Sequence, residues 1–243
     1  MRVPHRRVRV NRRAQSNVVG VAILLGLTVL ALGAVTASVG NLVETNAAAA
    51  DANRVASDLA ATVQPVRTTG VRVGTLAFTD GRLDTVERSI RVLDRSGVVL
   101  ERPANALVFE AGAYTTTLLG GAVTLGRDGG GRFVREPPIT ADEDVLVVGL
   151  PVLDGTVVAG GESKRVRLHT HVTHARHDLG TAAYRVAVET ARPRPWKQFF
   201  AAANAAISVR DFDGDGVTSV VARFPGERAG YVVVHRVEVS RRG

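Results

Sequence analysis

From Ala14 to Val43 the chain carries no charged side chain, and this run constrains everything else about it. Its apolar centre, Val18 to Val39, is 22 residues long, about 33 Å as a helix. That length matches a bilayer hydrocarbon core of roughly 30 Å. A surface helix of a soluble protein would need a polar face, and none is present. The run is also too long for the apolar region of an ordinary secretory signal, which spans about 7 to 15 residues. The small-residue stretch "NAAAADA" that could serve as a signal cleavage site lies well beyond a membrane-length helix. The expected element is therefore a helix that enters a membrane and stays on the protein.

Charge assigns an orientation to that helix. Arg2, Arg6, Arg7, Arg9, Arg12 and Arg13 precede it, and the same stretch holds no acid. Glu44, Asp51, Arg54 and Asp58 follow it. Positive flanks stay cytoplasmic, so the N-terminus is expected inside and residues 44–243 outside. The net charge of +8 belongs largely to this leader, because the other 25 basic residues face 23 acidic ones. A near-neutral remainder has no electrostatic footprint for nucleic acid, so no nucleic-acid partner is expected. The absence of cysteine excludes disulfide scaffolds, thiol nucleophiles and thiolate zinc sites.

The segment "RRAQSNVVGVAILLGLTVLALGAVTASVG" resembles the N-terminus of archaeal type IV pilin precursors, which carry a class III signal peptide. In that family a prepilin peptidase removes a short basic leader on the cytoplasmic side and leaves the apolar helix on the mature chain. The resemblance implies a cut between Ala14 and Gln15. Val19 then occupies the fifth mature position, where bacterial type IV pilins carry glutamate; archaeal pilins commonly share this departure. Gly26, Gly33 and Gly40 recur every seven residues. Such a repeat drifts only about 20° per heptad around a straight helix. Small residues let apolar helices approach closely, so these three are candidate packing positions in a filament.

The helical pattern continues past the apolar run. Residues 44–64 are alanine-rich, with Val55, Leu59 and Val63 four apart, before Pro65 and Gly70 stop the pattern. From Val71 the period changes to two. Segments such as "VRVGTLAF", "ALVFE", "AYTTTLL" and "DVLVVGLPVL" alternate, and Asp80-Gly81, Asp94 to Gly97, Gly112, Asp128 to Gly131, Asp154-Gly155 and Gly160-Gly161 punctuate them. One helix is expected at 193–205, where Trp196, Phe199, Phe200 and Ala203 share a face and Trp196 packs on the sheet. The pieces "ALVFEAGAYTTTLLGGAVTL", "REPPI" and "PWKQFF…ISVRDFDGDGVTSVVARF" are similar to pilin-like proteins of halophilic archaea. The expected class is α+β, with a long N-terminal transmembrane helix and a β-rich, sandwich-like head carrying one late helix. The expected divisions are a leader at 1–14, a membrane or filament-core helix at 15–43, a helix extension or stalk at 44–65 and an extracellular head at 66–243.

Few residues suggest chemistry. "DFDGDG" resembles a calcium loop through Asp211, Asp213, Asp215 and Gly216, but its twelfth position is Ala222 rather than a glutamate. A hairpin turn is the leading expectation there and a weak cation site the alternative. His169, His171, His174 and His177 form "HTHVTHARH", in which His169 and His171 share a strand face. That spacing admits a metal ligand pair, and solvent-facing polar residues of an edge strand explain it equally. "GRDGGGR" lacks the lysine and hydroxyl of a phosphate loop and is expected to be a hairpin tip. No catalytic set and no cofactor are expected.

These readings converge on a structural, pilin-like precursor whose partners are the membrane, a prepilin peptidase, a pilus assembly platform and other pilin-like subunits. The rival is a single-pass membrane protein whose extracellular β-domain binds a ligand or the cell envelope. A second rival is a cell-surface enzyme that uses the histidines.

Overall fold

The computed structural model describes residues 12–63, 70–127, 129–162 and 164–241. The leader arginines up to Arg9, the helix stop at Pro65 and the turn residue Asp128 lie outside them. The first element, α1 (Arg12–Val63), is a single 52-residue helix. Within it, Gly20–Thr62 contains a stretch long and apolar enough to cross a membrane. The hydroxyls of Thr28, Thr36 and Ser38 donate to the carbonyls of Leu24, Leu32 and Ala34 at 2.8, 2.9 and 2.8 Å. These three hydroxyls are thereby satisfied inside the helix, as a hydrocarbon environment demands.

The chain divides into two units between Thr45 and Asn46. The first unit is helical through its described residues and leaves its large apolar side chains exposed, Leu30 at 73% among them. The second unit holds residues 46–63 of α1, all the strands and a second helix. The segment expected as a stalk thus contributes directly to the head.

Four strands come first: β1 (Gly70–Phe78), β2 (Arg82–Val86), β3 (Ser89–Leu93) and β4 (Val98–Pro103). A meander follows, with β5 (Ala106–Ala111), β6 (Tyr114–Leu119), β7 (Ala122–Arg127) and β8 (Arg132–Arg135). Gly120 and Gly121 join β6 to β7 at φ +54° and +80°. Positive φ at both central residues is the hairpin geometry that matches strand twist. Next come β9 (Ile139–Ala141), β10 (Val145–Asp154), β11 (Val158–Gly160), β12 (Lys164–Ala182) and β13 (Arg185–Glu189). Then α2 (Pro193–Ala202), β14 (Ala206–Arg210), β15 (Ser219–Arg223) and β16 (Arg228–Arg241) complete the order.

The strands form three sheets: β1-β12-β16-β10-β9, β11-β2-β5-β6-β7-β8 and β14-β15-β13-β3-β4. Among their described pairs, β10 with β16 is parallel and the others are antiparallel. The first core joins Val55 and Leu59 of α1 to Leu76, Phe109, Leu118 and Val166 from the first two sheets. Polar bonds hold the same helical segment. The Asp51 carboxylate accepts the backbone N–H groups of Thr79 and Asp80 at 2.8 and 3.0 Å, and Thr116 donates to the Ala52 carbonyl at 3.0 Å. The second core gathers Ile90, Ala106, Val148, Val188, Phe200 and Val220 from the three sheets and α2 around Trp196. Trp196 is 1% exposed and meets Phe133 edge-on at 5.3 Å, the sheet packing expected of the single tryptophan.

An α+β chain with a long N-terminal apolar helix, a β-rich domain and a late helix is therefore present. The alternation pattern misses three strands, β2, β9 and β11, whereas the hairpin expected around the aspartate loop is present as β14 and β15. β9 and β11 are only three residues long, and in β2 the large apolar residues Leu83 and Val86 stand three apart, off a period of two. The histidine stretch is not on an edge strand: His169 and His171 pair with β1 on one side and β16 on the other.

Candidate functional site

Two surfaces carry the residues singled out by sequence. The first is the N-terminal part of α1. Ala14 and Gln15 lie in its opening turn, where the backbone N–H groups have no intrahelical partner and fraying costs least; their side chains lie outside the described residues. Further along, a Cβ built on Gly26, Gly33 or Gly40 would meet nothing within 4 Å. The glycine positions are open, with Val29, Leu30 and Leu32 exposed around them.

The second surface is the face of the third sheet turned away from the second core. "DFDGDG" lies in the loop that joins β14 to β15, which pair antiparallel from Arg210↔Ser219 to Ala206↔Arg223. Asp211 shapes the loop. Its carboxylate accepts the N–H groups of Gly214 at 2.8 Å, Gly216 at 3.2 Å and Asp213 at 3.3 Å. Those bonds, led by the one from Gly214, hold its carboxyl below the usual range. Gly214 and Gly216 sit at φ +78° and +85°, where a side chain would be strained. Phe212 then folds back onto Leu93, Ala187 and Val221, and the guanidinium groups of Arg91 and Arg210 lie 4.9 and 4.7 Å from its ring centre.

This fold-back separates the three aspartates expected to act together. Asp211 is committed to the turn, whereas Asp213 and Asp215 reach Glu189 on β13. One carboxylate oxygen from each of Glu189, Asp213 and Asp215 lies within 4.8 Å of the others. Glu189 is 4% exposed. Burial raises its pKa first and the charge of Asp213 adds to that, while Arg88 and Arg91 pull the other way. Arg91 donates to Glu101 at 2.7 Å and reaches Glu189 at 3.5 Å and Asp213 at 3.4 Å. Arg88 stands 3.9 Å from Glu189. Glu189 had no signal in the sequence: it ends an ordinary hydrophobic strand 24 residues before Asp213.

The histidines do not converge. His171 stands 3.9 Å from Glu238, and His177 lies 3.5 Å from Arg102. His174 instead meets His235 of β16, Nδ1 to Nδ1 at 2.6 Å, with the rings edge-on. One nitrogen of that pair must donate, so both rings cannot present the same protonation state there. Burial, and then the charge of His174, lower the pKa of His235. His235 lies 61 residues from His174 and only the register of β12 on β16 brings it in. The "GRDGGGR" segment is the β7–β8 connection, and Arg192 donates to the Gly130 carbonyl at 2.9 Å.

The model of a protein family of unknown function, DUF7289, matches residues 13–240. No curated protein matches the chain, and no solved structure does.

Proposed function

The chain belongs to the DUF7289 family, and for this member of it we propose a structural role: a type IV pilin-like subunit, inserted in the membrane as a precursor. In this reading a prepilin peptidase cuts between Ala14 and Gln15. The mature chain then assembles into a cell-surface filament or stands anchored beside one, with an assembly platform and other pilin-like subunits as partners. The observation that carries the reading is α1. One continuous helix is apolar and exposed over its first unit and then contributes Val55 and Leu59 to the head's core. A leader cut before such a helix leaves anchor and head in one piece. The arginine-rich flank supports a cytoplasmic N-terminus and an extracellular head. The open heptad glycines support close helix packing in a filament. We assign no catalytic role, no cofactor and no nucleic-acid partner.

We also take the head to be sandwich-like. The second sheet sends Leu107 and Phe109 into one core and Ala106 into the other, so it is covered on both faces.

The test is the N-terminal sequence of the protein recovered from membranes. A mature chain beginning at Gln15 is expected. A chain still beginning at Met1 would overturn the processing step and leave the single-pass, envelope- or ligand-binding protein in its place.

A further inference from the structure

The loop between β14 and β15 brings carboxylates to a face that already holds a buried hydroxyl. Ser219 is the direct ladder partner of Glu189. Paired residues of antiparallel strands stand on one face with Cβ atoms about 4.5–5.5 Å apart. The alternation along β15 agrees: Val220 and Ala222 enter the second core, whereas Val221 meets Phe212 beneath the loop. Ser219 is therefore aimed into the carboxylate cluster. It is 1% exposed, and its Oγ has no hydrogen-bond partner. A buried hydroxyl left without a partner is destabilising, and its lone pairs are suited to a cation.

We propose that Glu189, Asp213 and Asp215 bind a divalent cation of the calcium type, with Ser219 Oγ as a fourth, buried oxygen, and that the ion clamps the 211–218 loop onto the third sheet.

Charge and geometry both favour this. Glu101, Glu189, Asp213 and Asp215 are offset by Arg88 and Arg91 alone among the groups in the network described above, which leaves room for two positive charges. Arg91 makes its short bond to Glu101 and only long contacts to Glu189 and Asp213, so it stays paired when an ion takes the other carboxylates. An all-oxygen set selects a hard cation. Ca²⁺ with bonds of about 2.4 Å bridges oxygens up to roughly 4.8 Å apart, whereas Mg²⁺ at about 2.1 Å bridges only about 4.2 Å. Three oxygens that all lie within 4.8 Å of one another come within reach of one such ion. Ligands drawn from a loop and two strands also suit the irregular geometry that Ca²⁺ accepts. Asp211 stays out of the shell and keeps the turn.

The experiment uses the full chain in detergent, stripped with a chelator and titrated with CaCl₂, MgCl₂ or KCl at matched ionic strength. Thermal unfolding and calorimetry are the readouts. Saturable Ca²⁺ binding is expected near 10⁻⁴–10⁻³ M, about the range of extracellular modules, together with a rise in Tm that KCl does not reproduce. Asp215→Asn keeps an oxygen for the Val217 N–H and sits on the exposed loop, so it folds; it should weaken Ca²⁺ binding about tenfold through lost ligand charge. Ser219→Ala should weaken it less and raise the stability of the ion-free protein. A Tm rise matched by KCl, or Ca²⁺ affinity unchanged in both Asp215→Asn and Glu189→Gln, would overturn the site. Mg²⁺ binding as tight as Ca²⁺ would overturn the calcium assignment.

Discussion

The two halves of α1 share one backbone helix and meet opposite fates. Between Val21 and Val43 every large apolar side chain is exposed, and no charge interrupts the run. Between Ala52 and Leu59 half of the residues are polar or charged, yet Ala52, Val55, Ala56 and Leu59 are each no more than 1% exposed. The less hydrophobic half is the buried one. Total apolarity therefore does not decide burial within this chain. A single stripe on a polar helix has one direction to face and docks on the sheets, whereas a helix apolar all round needs an apolar solvent on every side.

The largest test of that contrast is to truncate one leucine in each half. Leu59→Ala should cost the head about 2–5 kcal/mol, because the cavity lies in a closed core. Leu30→Ala should leave head stability within about 0.5 kcal/mol. Denaturant unfolding of the full chain in detergent measures both, and equal losses would erase the distinction.

A charge placed in the first half should act on insertion alone. Leu30→Arg is expected to disfavour membrane insertion by about 2.5–3.5 kcal/mol. It should leave the denaturant midpoint of the head unchanged. The membrane-bound fraction reports the first quantity, and full retention in the membrane would count against a spanning helix.

Gly33→Ala sharpens the comparison by separating the isolated helix from its assembly. Alanine is the better helix former by about 1 kcal/mol, and a Cβ at Gly33 meets nothing in the chain. Helix stability should rise slightly. If the glycines are packing positions, filament recovery should fall in the same variant. A rise in both would leave Gly33 an ordinary membrane glycine.

The smallest expected difference concerns pH. The first half has no titratable group between Ala14 and Val43, so membrane retention should not depend on pH. The head contains His235, whose pKa is lowered by burial and by His174. The unfolded chain then binds that proton more tightly. The stabilisation from neutral His235 is complete above about pH 6.5, its unfolded value, and is lost as pH falls through the lower folded value. Glu189 works in the opposite sense: its raised folded pKa makes the fold gain stability as pH falls towards the carboxylate range. The readout is therefore the difference between the parent and His235→Asn. The variant should lose less Tm between pH 7 and pH 5, and parallel curves would remove His235 as the cause.

Much of the architecture was legible because it rests on local patterns. The charge-free run gave away the apolar helix, the fourfold spacing of Val55 and Leu59 its continuation, and the Trp196–Phe200 face the late helix. Period-two segments located most strands, and glycines at positive φ located turns such as Gly112. Pairing was not legible. Nothing near Gly70–Phe78 says that its ladder partner is Lys164–Val172, nor that β10 lies parallel to β16. The candidate site followed the same division. The aspartates of the 211–216 loop stood out by spacing, but Glu189 and Ser219 are unremarkable in their own strands.

By itself, the sequence determined that a long apolar helix precedes a β-rich domain, because hydrophobic period and uninterrupted apolar length are properties of neighbouring residues. Only the tertiary structure decided that α1 ends inside the head, that Asp211 builds a turn while Asp213 and Asp215 turn towards Glu189, and that His235 completes the pair begun by His174. Those outcomes depend on register between strands far apart in the chain. A shift of one residue would carry each side chain to the opposite face.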